Sequence, residues 1–119
     1  MNKPLLIILR RPPYGSSLSR EGIDIALAAA AFGQEVSLLF IADGVWQLLL
    51  HQDSEALSIK NHANVLNALE LYGISNIYVE ARALLERQIE SDQIIHSHQL
   101  LTSTEISSII AEHKTVLNF

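Results

Sequence analysis

The chain has 119 residues, no cysteine and a formal charge of −5, from eight Lys and Arg against thirteen Asp and Glu. That length holds one domain and buries roughly two-thirds of the surface its unfolded form exposes, a core that needs no staples. Disulfides, thiolate metal sites and thiol nucleophiles are excluded, and cations so scattered that only Arg10 and Arg11 are adjacent do not make the clustered positive surface that direct nucleic-acid binding requires.

Met1–Pro4 run straight into the apolar stretch Leu5–Leu9. That stretch is shorter than a secretory hydrophobic core and does not end in small residues. No apolar run approaches the ~20 residues of a membrane span. The expected setting is the cytoplasm, away from membranes. Apolar at every position, Leu5–Leu9 predicts a strand buried on both faces. Arg10–Ser19 is broken by Pro12-Pro13 and Gly15 and predicts a loop. Ile23, Ala26, Leu27, Ala30 and Ala31 recur at helical spacing; Ser17 or Ser19 is the expected cap and Gly33 the stop. Glu35–Ile41 predicts the second strand.

The stretch Ser37–Gln52 organises the rest. Leu38–Ala42 is apolar throughout, and Asp43 is expected to cap a short helix by accepting from its free N–H groups. From Val45 to Leu50 the residues are apolar nearly all round, more than a helix with one buried face needs. Trp46 either completes the core with Leu49 or faces a partner. Tryptophan is enriched at interface hot spots, and Val45, Leu49 and Leu50 crowd beside it, so this segment is expected to offer an apolar docking surface.

Gln52–Ser58 reads as a loop. Ile59, Ala63, Leu66 and Leu69 mark a longer helix, and Gly73 followed by Ile74 matches a left-handed cap with its hydrophobic contact. Ile77–Ala81 predicts the third strand, Ala83–Gln88 a helical turn and Gln93–His96 a fourth strand. Thr102 and Glu105 form a capping box ahead of Ile106, Ile109, Ile110 and His113 on one helix face. Val116–Phe119 closes the chain as a strand. Alternating strands and helices predict an α/β domain with three layers, α/β/α, around a mostly parallel sheet of about five strands. Chemistry in such a sheet lies outside the carboxyl ends of the strands, which groups Asp43, Glu80 and Arg82 in a strand-end cleft.

No catalytic, cofactor or metal site emerges from the motifs. The first loop lacks G-x-G-x-x-G and G-K-[ST], and Arg10 and Arg11 stand where a phospho-receiver needs acids. Nothing matches G-x-S-x-G. His96 and His98 share one face of a strand but find no third ligand, and His51 and His62 are isolated. Asp43 is read as a cap rather than a catalytic carboxylate. Glu80 is either a base or the ion-pair partner of Arg82 or Arg87, and the ion pair is preferred.

Three segments carry a family resemblance: Ser19-Arg-Glu-Gly-Ile-Asp24, Phe40-Ile-Ala-Asp-Gly-Val-Trp-Gln-Leu48 and Val116-Leu-Asn-Phe119. They resemble the DsrE/DsrF superfamily, and within it the TusC/DsrF group. The resemblance covers nearly the whole chain and is weakest over Gln52–Asn61 and Ser91–Leu101. It implies a flavodoxin-like α/β fold and a cytoplasmic subunit of a heterohexamer, a dimer of heterotrimers with TusB-like and TusD-like chains. It also implies a persulfide relay toward 2-thiolation of the wobble uridine of tRNA, or the related sulfur-oxidation complex. In the sulfur-carrying subunit of that family a cysteine follows the third strand, and Glu80 stands at the matching position here. Persulfide transfer needs a thiolate, which this chain lacks, so its expected role is structural. The alternatives are a flavodoxin-like small-molecule-binding protein and a homo-oligomer of the same fold.

Overall fold

The structure, a computed structural model, describes residues 3–13, 15, 17–49, 68–94 and 98–119. Five strands form one sheet: β1 (Lys3–Leu9), β2 (Val36–Phe40), β3 (Asn76–Glu80), β4 (Gln99–Leu101) and β5 (His113–Asn118). Their spatial order is β4-β3-β2-β1-β5, and all neighbours run parallel. The helices are α1 (Leu18–Ala31), α2 (Ala81–Glu86) and α3 (Ser103–Ala111), with a 3-10 helix at Ala42–Leu48 and a shorter one at Ser91–Gln93. Residues 68–71 are also helical.

Connection handedness decides which face each helix covers. From β1 to β4 the chain steps across the sheet in one direction, and right-handed crossovers put every intervening helix on one face. The step from β4 to β5 reverses direction, so α3 must cross the other face. The core follows this division. Leu5, Ile7, Leu9, Leu38, Phe40 and Val79 pack with Ile23 and Ala26 of α1, with Val45 and Leu48, and with Leu84 of α2. Leu6, Ile8, Leu39, Tyr78 and Leu101 pack on the opposite face, against Ile106 and Ile109 of α3. The expected α/β/α layering is present, and the sheet is parallel throughout.

Local expectations fare unevenly. Gly73 (φ +81) does close a helix: its N–H donates to the Glu70 carbonyl, Ile74 N–H donates to the Leu69 carbonyl, and Ile74 and Leu69 are both buried. The Thr102–Glu105 box is formed in both directions. Ser17 holds the cap position of α1 without a side-chain bond, because its backbone is already helical. Ser19 is buried inside the helix instead. The fourth strand is Gln99–Leu101 rather than Gln93–His96; residues 91–93 coil into a 3-10 turn whose own box joins Glu90 and Gln93. His113 opens β5 rather than ending α3, and its Nδ1–H donates to the Ile109 carbonyl at 2.7 Å. Residues 50–67, which hold Leu50, His51, the loop Gln52–Ser58, His62 and the start of the longer predicted helix, lie outside the described residues, as does His96.

The three motif segments meet at the end of β1. A Cβ on Gly44 would lie 1.9 Å from the Leu9 carbonyl oxygen, and one on Gly22 would lie 2.5 Å from Leu9 Cδ2 and 3.1 Å from the Phe119 ring. The Leu9 carbonyl accepts from Ile41 N–H at 3.1 Å, Phe119 N–H donates to the Ile8 carbonyl at 2.9 Å, and Arg10 N–H donates to the Phe119 carbonyl at 2.9 Å. Glycine is required where backbone meets backbone this closely. Gly44→Ala is therefore expected to cost about 3 kcal/mol or more in denaturant unfolding. Gly22→Ala should cost less, because the obstructing atom is a side-chain end that can turn aside.

On the α3 face, Lys3 Nζ donates to the Tyr78 hydroxyl at 3.1 Å. That bond holds the Lys3 ammonium above its ordinary value; burial works against it, and Glu112 and Glu35 add to it. A raised folded value means the contribution is complete below the usual lysine range and is lost as pH climbs through the raised value. Tyr78→Phe should thus lower stability at neutral pH by about 0.5 kcal/mol. The gap to the parent chain should close in strongly alkaline unfolding measurements.

Candidate functional site

The carboxyl ends of β2 and β3 carry the residues singled out above. Leaving β2, the chain turns at Ala42, whose φ of +48 is rare for a residue with a side chain. Ala42 N–H donates to Glu80 Oε1 at 3.0 Å, so a carboxylate at the end of β3 holds the turn of the neighbouring strand. The 3-10 helix then begins with Ile41, not Asp43, as its cap residue. Asp43, already inside the first turn, has no N–H to cap. Its Oδ1 accepts instead from Arg87 Nε at 3.1 Å and Nη2 at 2.9 Å. Arg87 Nη1 also donates to the Ala83 carbonyl at 3.2 Å, which ties the 3-10 helix to the end of α2.

Glu80 therefore pairs with neither arginine. Arg82 turns outward to Glu86, 3.1 Å away, in an i,i+4 pair with 71% and 54% of the two side chains exposed. Such a pair is worth a few tenths of a kcal/mol, and Arg82 is not part of the junction. The group that belongs there is Arg87, whose side chain is 21% exposed. The sequence offered Arg87 as a partner for Glu80; its partner is Asp43 instead. Gln47 was missed: it is fully buried, and its Nε2 donates to the Arg11 carbonyl at 2.8 Å, tying the loop after β1 to the 3-10 helix.

The apolar segment divides. Val45 and Leu48 have no exposed surface; they face the sheet, and Val45 cannot meet a partner as expected. Trp46 and Leu49 are half-buried, packed against the rim of the same core. Beyond them opens a cleft of about 310 Å³ lined by Trp46, Leu49, Arg87, Gln88, Ile89 and Gln93. An antiparallel bridge between Leu49 and Ile94 crosses this region. Gln88 takes φ +56, so the non-glycine residues with positive φ among the described residues, Ala42 and Gln88, open the 3-10 helix and follow the end of α2, the two pieces that the Asp43–Arg87 pair joins. Strain of this kind persists where surrounding contacts impose it.

Chemically, the junction offers an indole wall, aliphatic side chains and amides. Its carboxylates are engaged in hydrogen bonds to the chain itself. Among the described residues no group of three or more His, Cys, Asp or Glu side chains could hold a metal ion. His98 Nε2 lies 3.0 Å from the Ser91 hydroxyl. No helix of the described residues is long and apolar enough to cross a membrane.

The match of a family model spans residues 3–119, and its description is the DsrE/DsrF-like family. The chain belongs to that family. A protein described as "Protein TusC homolog" from Pseudomonas aeruginosa is 33% identical over 117 residues, covering 98% of each chain. One of the same description from Vibrio parahaemolyticus is 31% identical over 115 residues, 97% of this chain and 98% of that one. "Protein TusC" of Buchnera aphidicola is 30% identical over 116 residues. The crystal structure of the ychN protein from E. coli superposes with a TM-score of 0.77 at 20% identity, with both chains covered fully, which establishes the fold.

Glu80 is expected to act through the turn it holds. Glu80→Ala leaves the Ala42 N–H without its acceptor and should cost about 1 kcal/mol, with faster hydrogen exchange at the Ala42 amide. Glu80→Gln keeps an acceptor oxygen and should lose only part of that.

Proposed function

We propose that this chain is a non-catalytic structural subunit of a TusBCD-type sulfur-relay complex, which passes persulfide sulfur toward 2-thiolation of the tRNA wobble uridine. The observation that carries this reading is a full-length relation to proteins described as TusC in a chain without cysteine. A relay step needs a thiolate that attacks and then holds sulfur. The thiol must come from another subunit. Glu80, at the position where the resemblance puts a sulfur-carrying cysteine, is bonded to the backbone of its own chain.

The partners in this reading are TusB-like and TusD-like chains, in a cytoplasmic heterohexamer built as a dimer of heterotrimers. Docking would use Trp46 and Leu49 and the cleft beside them. Leu85 stands 79% exposed on α2, the helix that Arg87 ties to this segment, and extends the apolar surface. A half-buried indole over a formed cleft suits an interface anchor, because its packed side is already ordered before the partner arrives.

Co-expression with TusB-like and TusD-like chains tests the proposal. The wild-type chain should co-purify with them, and Trp46→Ala should weaken capture about tenfold or more. Trp46→Phe, which keeps the packed ring, should retain much of the binding, and thermal melts should show both variants folded. No complex with wild type, or capture indifferent to Trp46→Ala, would count against the docking assignment. Sulfur transfer by the isolated chain would overturn the non-catalytic role.

A further inference from the structure

Three helical segments among the described residues close in the same way. After α1, Gly33 N–H donates to the Ala30 carbonyl at 2.9 Å and Gln34 N–H to the Ala29 carbonyl at 3.1 Å. After residues 68–71, Gly73 and Ile74 donate to Glu70 and Leu69 in the same pattern. After α2, Gln88 N–H donates to the Leu85 carbonyl at 3.2 Å and Ile89 N–H to the Leu84 carbonyl at 2.9 Å. Each is the doubly bonded left-handed stop that glycine favours, with φ of +87 at Gly33, +81 at Gly73 and +56 at Gln88. The third carries a full side chain where the other two carry none. Its hydrophobic contact is in place, since Leu84 and Ile89 are both buried in one core, so the turn gives no reason of its own for a long polar residue. The left-handed region is unfavourable for any residue with a Cβ. A local rule broken without gain to the fold marks a functional position.

The Gln88 side chain lines the Trp46 cleft. Gln88 is exposed, and among the described residues its amide has no hydrogen-bond partner. Gln93 lines the same cleft, and its Oε1 accepts from Glu90 N–H at 2.8 Å, which leaves its Nε2 hydrogens as donors. A carboxamide is donor and acceptor at once, the complement of a peptide group. Main-chain groups inside a helix are already paired with one another, so such an amide suits the main chain of an extended segment rather than that of a helix. The cleft, about 310 Å³ in volume, lies at the lower end of the range for ligand pockets. With Trp46, Leu49 and Ile89 as its apolar walls, it suits one apolar side chain together with the backbone that carries it. We propose that Gln88 is a specificity-determining residue of this cleft: its carboxamide, held there by the left-handed turn, exchanges hydrogen bonds with the main chain of an extended partner segment whose apolar side chain packs on Trp46. The inference rests on the docking at the cleft proposed above, and adds the kind of segment that enters and the group that reads it.

The experiment compares Gln88→Ala, Gln88→Gly and Gln88→Asn in the full chain, by denaturant unfolding and by capture with co-expressed TusB-like and TusD-like chains. Gln88→Ala removes the amide and keeps the strained Cβ, so stability should match the parent while capture falls about fivefold. Gln88→Gly also releases the strain, so the unfolding midpoint should rise while capture falls as far. Gln88→Asn keeps a carboxamide on a residue that tolerates the left-handed region, and it should be at least as stable as the parent and captured better than Gln88→Ala. Stability gained with binding lost is a pairing that a purely structural role for Gln88 does not produce. Capture unchanged in Gln88→Ala and Gln88→Gly but weakened in Trp46→Ala would overturn the assignment of Gln88 and leave docking at the cleft standing. Capture lost in Gln88→Gly but not in Gln88→Ala, or an unfolding midpoint that falls in Gln88→Gly, would trace the effect to the turn rather than the amide and overturn it as well. No capture of the wild-type chain, or capture indifferent to Trp46→Ala, would remove the docking at the cleft and this inference with it.

Discussion

The close contact around Leu9 is the constraint on which the other elements of the fold depend. The last residue of β1 is approached on one side by Gly22 of α1 and on another by Gly44 of the 3-10 helix. Phe119 is hydrogen-bonded to residues on either side of Leu9. The three segments that carry the family resemblance are distant in sequence and meet here. Their role in this chain is steric and structural: they let a helix, a 3-10 turn and the chain end share one strand end. A methyl group at Gly44 would collide with a carbonyl that cannot move without breaking the sheet, so the constraint falls on backbone rather than on side-chain chemistry.

The path of the chain explains why function is sought on surfaces. Four strands laid in one direction crowd their connections onto one face, and the return to β5 leaves the other face to α3. Among the described residues, the crowded face keeps apolar side chains in excess of what its core can enclose. They emerge at both ends, as Trp46 and Leu49 above the strands and as Phe32, Leu71 and Tyr72 below. A chain of this size has too little interior to absorb them. The polar groups at the strand ends are meanwhile committed to holding the fold: Glu80 to the Ala42 turn and Asp43 to Arg87.

The periodicities were legible. Continuous apolar runs marked β1 and β2, the Thr102–Glu105 spacing marked the start of α3, and the Gly73-Ile74 pair marked a helix end. These signals are local, because a buried strand, a capping box and a left-handed turn each impose residue types over a few positions. The absence of any thiol was equally plain and bounded the chemistry before any fold was known. Side-chain partnerships at the strand ends were not legible. Asp43 looked like a cap because it precedes a helical pattern, but the turn at Ala42 starts that helix two residues earlier, with Ile41 at the cap position. Glu80 looked like a partner for nearby arginines, but the donor it meets is the Ala42 N–H, at the turn that follows β2.

What the amino-acid sequence determined by itself is the layered α/β architecture, the helix and strand periods and the exclusion of cysteine chemistry, because each depends on residue type at short range. Only the tertiary structure decided that Val45 is enclosed while Trp46 is half-open, that Arg87 rather than Arg82 joins the junction, and that Phe32 and Leu71 end on the same side of the sheet. Those outcomes depend on strand order and crossover handedness, which bring together residues that no local pattern connects.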